Sequence, residues 1–190
     1  GFLSIDCGST DTANYIDPST QIQWTPDASL WADIGGWSAT AVVSPPTSMK
    51  DQKQYTTLRY FPQNKVLNHS KFCYNLPAVE GSYYLIRATF WLGLTSLYKT
   101  HVSGQIRFRV IVDTYEGVEI VIDLPQLNPW FEEMYVRALT GSSSVSVCLS
   151  AASGSSDPPF INSLELRPLP SNMSSVEFIN TTNCALRAVD

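Results

Sequence analysis

Short strand-like runs, separated by Gly, Pro, Ser and Asn, recur along the whole chain. In residues 105–110 apolar and polar side chains alternate, so that Ile106, Phe108 and Val110 would face a core while the arginines between them face solvent. Residues 144–149 alternate in the same way. No stretch keeps the helical period of about 3.6 residues over several turns. The sequence therefore predicts an all-β fold, an antiparallel two-sheet β-sandwich of the jelly-roll type.

The predicted strands are bounded by turn-forming residues. They are residues 2–6, 56–61, 71–76, 82–91, 105–113, 117–123, 133–139, 143–149 and 160–167. Residues 7–55 have little strand character and contain Trp31 and Trp37, which is typical of covering or functional loops. We expect residues 1–170 to form one module and residues 171–190 to be a linker, with a short strand, or the start of a following module.

The charge balance excludes some classes of partner. The chain has 12 Lys and Arg against 17 Asp and Glu, a net charge of −5. Nucleic acids and anionic lipid surfaces need clustered basic residues, so neither is expected as a partner. No apolar run is long enough to cross a bilayer, so this segment is not expected to insert into a membrane.

The cysteines are widely spaced and form no C-x-x-C pair, which disfavours zinc and thioredoxin-type redox sites. They are Cys7, Cys73, Cys148 and Cys184. An even number of separated cysteines predicts two disulfides, with three possible pairings. The alternative is a cytosolic protein with four buried free thiols.

Three N-glycosylation sequons favour the oxidising compartment. They begin at Asn68, Asn172 and Asn180, and none has proline in the middle position. Their number and their polar surroundings indicate a secreted or extracellular glycoprotein whose cysteines form disulfides.

The sequence offers little for catalysis. Its two histidines, His69 and His101, lie in polar segments, and no nucleophile elbow, H-E-x-x-H pair or phosphate-binding loop occurs. The carboxylates that could form a hydrolytic pair are Asp113, Glu116, Glu119 and Asp123. These residues flank a predicted hairpin turn and fit solvated charges better, so the chain is predicted not to be an enzyme and to need no cofactor.

Carboxylates near the start of the chain can be considered as calcium ligands. Asp6, Asp11 and Asp17 could contribute oxygens near the start of the chain, but calcium needs six or more converging ligands. The spacing matches no EF-hand, and Asp17 before a proline is explained by a turn. No metal site is predicted.

Several blocks of sequence, in order, resemble the N-terminal half of the plant malectin-like domain of leucine-rich-repeat receptor kinases and receptor-like proteins. They are residues 1–8 (GFLSIDCG), 15–18 (YIDP), 22–24 (IQW), 58–62 (LRYFP), 72–76 (FCYNL), 84–90 (YLIRATF), 145–149 (VSVCL) and 160–169 (FINSLELRPL). The resemblance implies a lectin-like β-sandwich on the extracellular side of the plasma membrane, facing the cell wall. It also implies that a second such module follows, and residues 183–187 are similar to the run that leads into one.

Loop aromatics are the best candidate ligand site. The predicted residues are Tyr98, Tyr115, Trp91 and Trp130, with Asp113 and Glu116 as hydroxyl acceptors. Sugars pack C–H patches on aromatic rings, and a mostly apolar cleft with a few polar groups suits a small ligand. The alternative is that Trp91, like Trp24 and Tyr84, belongs to the core. At residues 91–101 the chain departs from the family's usual loop, so ligand identity does not carry over.

Two functions follow from the sequence. The first is a non-catalytic carbohydrate-binding module of a plant receptor that senses cell-wall or glycoprotein sugars. The second is a protein-interaction module that presents the loop between Trp31 and Trp37, or a sheet face, to a partner receptor or secreted peptide. An exposed apolar patch on such a face would favour the second function.

Overall fold

The fold is described from a computed structural model. It describes residues 2–29, 38–62, 71–93, 104–114, 117–170 and 185–187, with the side chains of residues 29 and 185–187 left aside. Of the predicted site residues, these ranges leave out Tyr98, Tyr115 and Glu116, the three sequon asparagines, both histidines and Cys184. They also leave out Trp31 and Trp37.

In these ranges the regular secondary structure is almost entirely β-strand. The strands are β1 (Leu3–Asp6), β2 (Tyr15–Ile16), β3 (Gln23–Pro26), β4 (Ala39–Val42), β5 (Thr57–Tyr60), β6 (Phe72–Pro77), β7 (Tyr83–Phe90), β8 (Gln105–Val112), β9 (Val118–Asp123), β10 (Trp130–Arg137), β11 (Ser144–Ala151), β12 (Phe160–Ile161), β13 (Ser163–Pro168) and β14 (Ala185–Arg187). Short 3₁₀ turns occur at Asp27–Ser29, Thr47–Met49 and Lys53–Tyr55. No helix within the described ranges is long and apolar enough to cross a membrane.

The strands form three sheets. The large sheet has the order β14-β10-β7-β13-β1-β3-β2, the second sheet β6-β11-β8-β9, and the small sheet β12-β5-β4. All pairs of adjacent strands are antiparallel except β1 and β3, which are parallel. The predicted all-β fold of packed antiparallel sheets is confirmed.

The core lies between the large sheet and the second sheet. Ile86 and Met134 of the large sheet and Val110 of the second sheet are completely buried. The ring of Phe90 meets that of Phe108 edge to face at a centroid distance of 5.1 Å. The apolar halves of the alternating strands therefore interdigitate, as in other β-sandwiches.

The prediction was most accurate where a strand spans the sandwich. Residues 105–112 alternate as predicted, with Ile106, Phe108 and Val110 fully buried. The region 7–55, expected to be mainly loop, contributes β2, β3 and β4. Strands of two to four residues are too short to show an alternation, which explains why the pattern missed them.

The cysteine prediction is half right within the described residues. Cys73 and Cys148 face each other in the register of β6 and β11 and form a disulfide with a Cα–Cα distance of 3.9 Å. Cys7, placed in a disulfide by the sequence analysis, is instead a free and completely buried thiol. It follows β1 and is enclosed near Asp27 and Tyr74, and burial raises its pKa well above the ordinary value.

A buried polar cluster fixes the 3₁₀ turn at Asp27 against β5 and β6. The Asp27 carboxylate accepts hydrogen bonds from the guanidinium of Arg59 (Nη2–Oδ1 2.7 Å), the backbone N–H of Gly8 (3.0 Å) and the hydroxyl of Tyr74 (3.1 Å). Arg59 also donates to Ser38 at 2.8 Å. Burial alone would lower the pKa of Arg59, but the hydrogen bond and charge of Asp27 outweigh it and raise that pKa.

Candidate functional site

The described residues of the predicted ligand site do not lie together. Trp91 directly follows β7, and Trp130 is paired with the last residue of that strand. Leu92 is held close by Gln126, whose side-chain oxygen accepts from its N–H at 2.9 Å. Gly104 is at the same end, because its carbonyl accepts from Leu124 at 2.7 Å.

Asp113 lies at the opposite end of the sandwich. It follows the eight residues of β8, which begin beside Gly104. A strand rises about 3.3 Å per residue, so β8 separates the two ends by roughly 25 Å. Trp91 and Trp130 therefore cannot share one small ligand with Asp113, and the predicted grouping is wrong for these residues.

Trp91 is a packing residue. Only 6% of its surface is exposed, its indole N–H donates to the carbonyl of Ser44 (2.8 Å), and its backbone N–H donates to the side chain of Asn162 (2.6 Å). No ring face is left for a sugar. The alternative considered for Trp91 in the sequence analysis, a place in the core, is the one that the structure shows.

Asp113 organises a turn. Its φ is 49°, its N–H donates to the carbonyl of Ser146 (2.8 Å), and its Oδ1 accepts from the N–H of Ser146 (2.8 Å). Burial raises the pKa of the carboxyl. These contacts fasten the end of β8 to β11 and give Asp113 a structural role.

Of the predicted aromatics that the structure describes, Trp130 is the exposed one. Its side chain lies at the start of β10 with 38% of the residue surface exposed. Its indole N–H donates to the carboxylate of the buried Glu132 at 3.3 Å. An exposed ring can stack on a sugar, but Trp91 is buried, Asp113 lies at the other end of the sandwich and the remaining members of the predicted site lie outside the described residues.

The aspartates considered for calcium have separate partners. Asp6 accepts from the hydroxyl of Tyr15 (2.9 Å), and Asp11 forms an ion pair with Lys53. Asp17 accepts from the backbone and hydroxyl of Ser19 (2.8 and 2.6 Å). Among the described residues, no three His, Cys, Asp or Glu side chains converge as metal ligands.

A different surface concentrates the residue types used in recognition. The outward positions of β13, β7 and β10 alternate with fully buried ones such as Ile86, Met134 and Leu166. Arginines on these positions lie over aromatic rings. We call this surface the arginine–aromatic strip, and its members are Phe2, Tyr83, Arg87, Phe131, Arg137 and Arg167.

Three cation–π contacts run along the strip. The guanidinium carbons of Arg87 and Arg137 lie 5.8 Å from the ring centroids of Phe131 and Tyr83, respectively. The third contact joins Arg167 to the half-exposed Phe2 at 5.6 Å. Such pairs hold planar cations on aromatic faces while both remain accessible to a partner.

Carboxylates compensate part of this positive charge. Glu165, Arg87 and Glu133 stand in register on three neighbouring strands, and Arg87 Nε donates to Glu133 Oε1 at 2.5 Å. Glu165 in turn accepts from Arg167 on its own strand at 2.5 Å. The result is a line of alternating charges across the sheet. A partner with the complementary arrangement of charges can bind there with a defined orientation.

The strip is open at one side and covered at the other. On β10, Phe131 is 42% exposed, whereas Glu165 on β13 is 5% exposed. Tyr55, in the 3₁₀ turn before β5, lies near Glu165, and burial together with the Glu165 charge raises the pKa of Tyr55 to about 12. The accessible part of the strip is therefore the β7–β10 side.

Sequence reasoning missed the strip, although half of the signal was present. Residues 83–88 alternate between outward Tyr83 and Arg87 and inward Tyr84 and Ile86, so their faces could have been assigned. That Phe131 lies beside Arg87 depends on the register of β7 and β10, strands separated by two others in sequence. A single sequence does not specify that register.

Comparisons with known proteins agree with this fold. The malectin-like domain family model matches residues 5–187. A probable leucine-rich-repeat receptor-like serine/threonine-protein kinase of Arabidopsis thaliana, At4g20450, is 31% identical over 182 residues, covering 89% of this chain and 18% of that protein. A second such Arabidopsis kinase, At1g51820, is 34% identical over 174 residues, covering 91% and 17%.

Solved structures with the same fold are plant receptor ectodomains. The ectodomain of ANX2 from Arabidopsis thaliana superposes with a TM-score of 0.68 at 16% identity, over 98% of this chain and 47% of that one. The structure of the peptide RALF23 in complex with FER and LLG2 matches with a TM-score of 0.64 at 17% identity, over 100% and 47%. The chain thus spans about half the length of these structures and 17–18% of the two kinases.

Proposed function

The chain belongs to the malectin-like domain family, and on this premise we propose that it is a non-catalytic, extracellular module of a plant cell-surface receptor that binds a protein partner. The similar kinases support the receptor context. The chain matches less than a fifth of their length, and the structures that it resembles include ectodomains, so we assign it to the ligand-binding part.

The observation that carries the protein-binding proposal is the open side of the arginine–aromatic strip. Arginine and the large aromatics are enriched at the energetic centres of protein interfaces, whereas isolated surface charges are not. Arg87, Phe131 and Glu133 combine an accessible ring, a stacked guanidinium and a carboxylate within one patch of two strands. This patch can bury apolar area and fix orientation by charge at the same time.

A similar structure contains the plant peptide RALF23 in complex with FER and LLG2. We therefore propose a peptide or a partner receptor protein as the ligand class for this chain.

The test is a binding measurement on the purified domain with RALF23, with LLG2 and with both, extended to an array of Arabidopsis secreted peptides and ectodomains. We expect saturable binding that falls at least about tenfold in the double variant Arg87→Ala/Phe131→Ala, because truncated interface anchors commonly cost this much. The matched control is Arg107→Ala, which removes an exposed arginine paired with Glu119 at 3.4 Å on the second sheet.

If the wild type, the double variant and Arg107→Ala bind a partner equally well, the interface lies away from the strip. A complete absence of binding in the array, with a folded and disulfide-intact sample, would contradict the protein-interaction function. Circular dichroism and thermal unfolding of the variants separate these outcomes from misfolding.

Carbohydrate binding is the second candidate function, and Trp130 is the observation that favours it. Its exposed ring, oriented by the hydrogen bond from its indole N–H to the buried Glu132, offers one stacking surface for a sugar. An array of plant cell-wall oligosaccharides tests this function, with Trp130→Ala as one variant and Tyr98→Ala/Tyr115→Ala as the variant of the sequence-predicted loops. If both variants still bind sugar as the wild type does, neither Trp130 nor the two tyrosines belong to the sugar site.

A further inference from the structure

A groove of about 390 Å³ opens beside the strip, at the edge of the large sheet. It is bounded by the first residues of β1 and by the turn that leads into β3. Its lining residues are Phe2, Leu3, Ser4, Gln21, Ile22, Gln23 and Thr25. Its volume is at the lower end of the range found for small-ligand sites.

The groove exists because the parallel ladder between β1 and β3 is short. The two strands pair only at Ile5 with Thr25 and at Asp6 with Pro26. On its other side β1 stays paired with β13 from Asp6 back to Leu3. Upstream of Ile5 the ladder is therefore not continued, and the groove lies between the two chain segments at this point.

Backbone groups on both walls are directed toward this gap. Cys7 N–H donates to Asn162, so in the antiparallel pairing with β13 the alternate residues Ile5 and Leu3 also face β13. Ser4 between them directs its N–H and C=O toward β3, where the C=O is used in the parallel bridge of Ile5 with Thr25 and the N–H faces the gap. On the other wall, Asp17 N–H donates to Ile22, and the same alternation turns the N–H and C=O of Gln23 away from β2 toward β1.

The side chains of the groove are uncharged. Gln21 has a φ of 58°, unusual for a residue other than glycine, and its side-chain amide N–H donates to the carbonyl of Pro18 at 2.9 Å. Gln23 is exposed, and Phe2 presents a half-exposed ring at the mouth. Buried or half-buried charges on a ligand would find no counter-charge among these lining residues.

From this arrangement we propose that the groove binds an extended, uncharged peptide segment of the protein partner, held by backbone hydrogen bonds to the N–H of Ser4 and to the N–H and C=O of Gln23. The ligand completes the interrupted ladder in the way that extended peptides add to open sheet edges. The glutamine amides, which carry one donor group and one acceptor as a peptide group does, supply further bonds. Phe2 and Ile22 contact its apolar side chains.

This inference rests on the proposed function, because the groove and the strip share Phe2, over which Arg167 lies. A partner bound on the strip can therefore extend one segment into the groove. The lining favours a peptide over a saccharide, since two walls of strand backbone match a peptide and no carboxylate lines the groove to accept sugar hydroxyls.

The experiment selects binders from a displayed library of random octapeptides against the purified, disulfide-intact domain. We expect the enriched peptides to be uncharged and to carry a bulky apolar residue. Their affinity should fall at least about tenfold in Gln21→Ala/Gln23→Ala and in Phe2→Ala. It should be unchanged in Gln105→Ala, whose amide contacts Asp123 on the second sheet.

N-methylation of the selected peptide, one position at a time, tests the backbone contacts that side-chain variants leave intact. Loss of binding is expected at the position whose N–H faces the Gln23 C=O, and tolerance is expected at its neighbours, whose N–H groups face the β1 wall, where Ser4 offers a donor. Equal tolerance at all positions would overturn the proposed mode. So would enrichment of peptides that bind the groove variants normally, or oligosaccharide binding that is lost in the groove variants.

The groove proposal and the strip proposal can be contradicted independently of each other. If RALF23 or another array partner loses binding in Arg87→Ala/Phe131→Ala but not in Gln21→Ala/Gln23→Ala, the groove proposal falls and the proposed function stands. If the octapeptides bind the groove but the array partners ignore the strip, the strip assignment falls.

Discussion

Two arginine–carboxylate pairs in this domain have the same chemistry and opposite surroundings. Arg59 and Asp27 are 7% and 0% exposed, and Asp27 has further donors from Gly8 and Tyr74. Arg87 and Glu133 keep 32% and 25% of their side-chain surface in contact with solvent. Because the first pair is buried, it can only hold three chain segments together. The second pair remains available to a partner.

The energetic reason is the cost of an unpaired charge. In the buried pair, removal of one partner leaves the other without water or a counter-ion, and this is strongly destabilising. In the exposed pair, water replaces the missing partner, so the pair itself adds little to folding.

Asp27→Ala should lower the free energy of unfolding by about 3–5 kcal/mol, because it leaves the Arg59 guanidinium in the core without its counter-ion. Denaturant unfolding of the wild type and the variant measures the loss. Asp27→Ala combined with Arg59→Met should recover part of it, since the remaining charge is then gone. A loss below about 1 kcal/mol in the single variant would show that Arg59 is not dependent on Asp27.

Gly8→Ala should destabilise the domain by about 2–4 kcal/mol, because the added Cβ combines backbone strain with overpacking. The φ of Gly8 is +80°, and a Cβ there would lie 2.3 Å from the backbone of Leu58, beside the N–H that binds Asp27. Gly104→Ala is the matched control. Its φ is +67° with no atom within 4 Å, so only the backbone strain remains.

The difference in stability loss between Gly8→Ala and Gly104→Ala measures the cost of the close contact with β5. Similar melting temperatures for Gly8→Ala and Gly104→Ala would mean that β5 shifts readily, and the buried cluster would then be less rigid than its contacts indicate.

Asp6 predicts a pH dependence of stability. Burial, opposed by the Tyr15 hydrogen bond and assisted by the Asp27 charge, raises the pKa of Asp6 from 3.8 to about 6. The folded state therefore binds the proton more tightly than the unfolded state. This tighter proton binding contributes up to about 3 kcal/mol to the free energy of unfolding. The contribution is complete below pH 4 and is lost as the pH rises through 6.

The groups that face Asp6 are Tyr15, Thr57, Asp27, Lys53 and Ser9. In Asp6→Asn the pH-dependent part should disappear, so that the wild-type and variant stability curves diverge between pH 4 and 7. Thermal unfolding at several pH values measures this. Parallel curves would show that Asp6 titrates normally.

Arg87→Ala in the strip should change stability by only about 0–1 kcal/mol, because its partners stay solvated. Loss of partner binding together with this small change would separate recognition from folding. A loss of stability as large as that of Asp27→Ala would show that the strip is part of the structural framework, and the comparison between the two pairs would fail.

The sequence predicted the local features of the fold but not the contacts between distant strands. The alternation around Phe108 correctly assigned the core face of β8, and the ordered blocks from residue 1 to residue 169 identified the family. The predicted grouping of Trp91 with Asp113 failed because the two residues are separated by the length of β8, although they are only 22 positions apart in the chain.

Which residues alternate, which segments end in turns and which family the chain resembles could all be inferred without a structure, because these features depend on neighbours along the chain. The tertiary structure decided the rest. It paired Arg87 with Phe131, buried Asp27 against Arg59, left Cys7 as a free thiol and opened the groove beside Ser4. Each of these depends on register and strand order between distant segments, which are fixed by packing of the whole core.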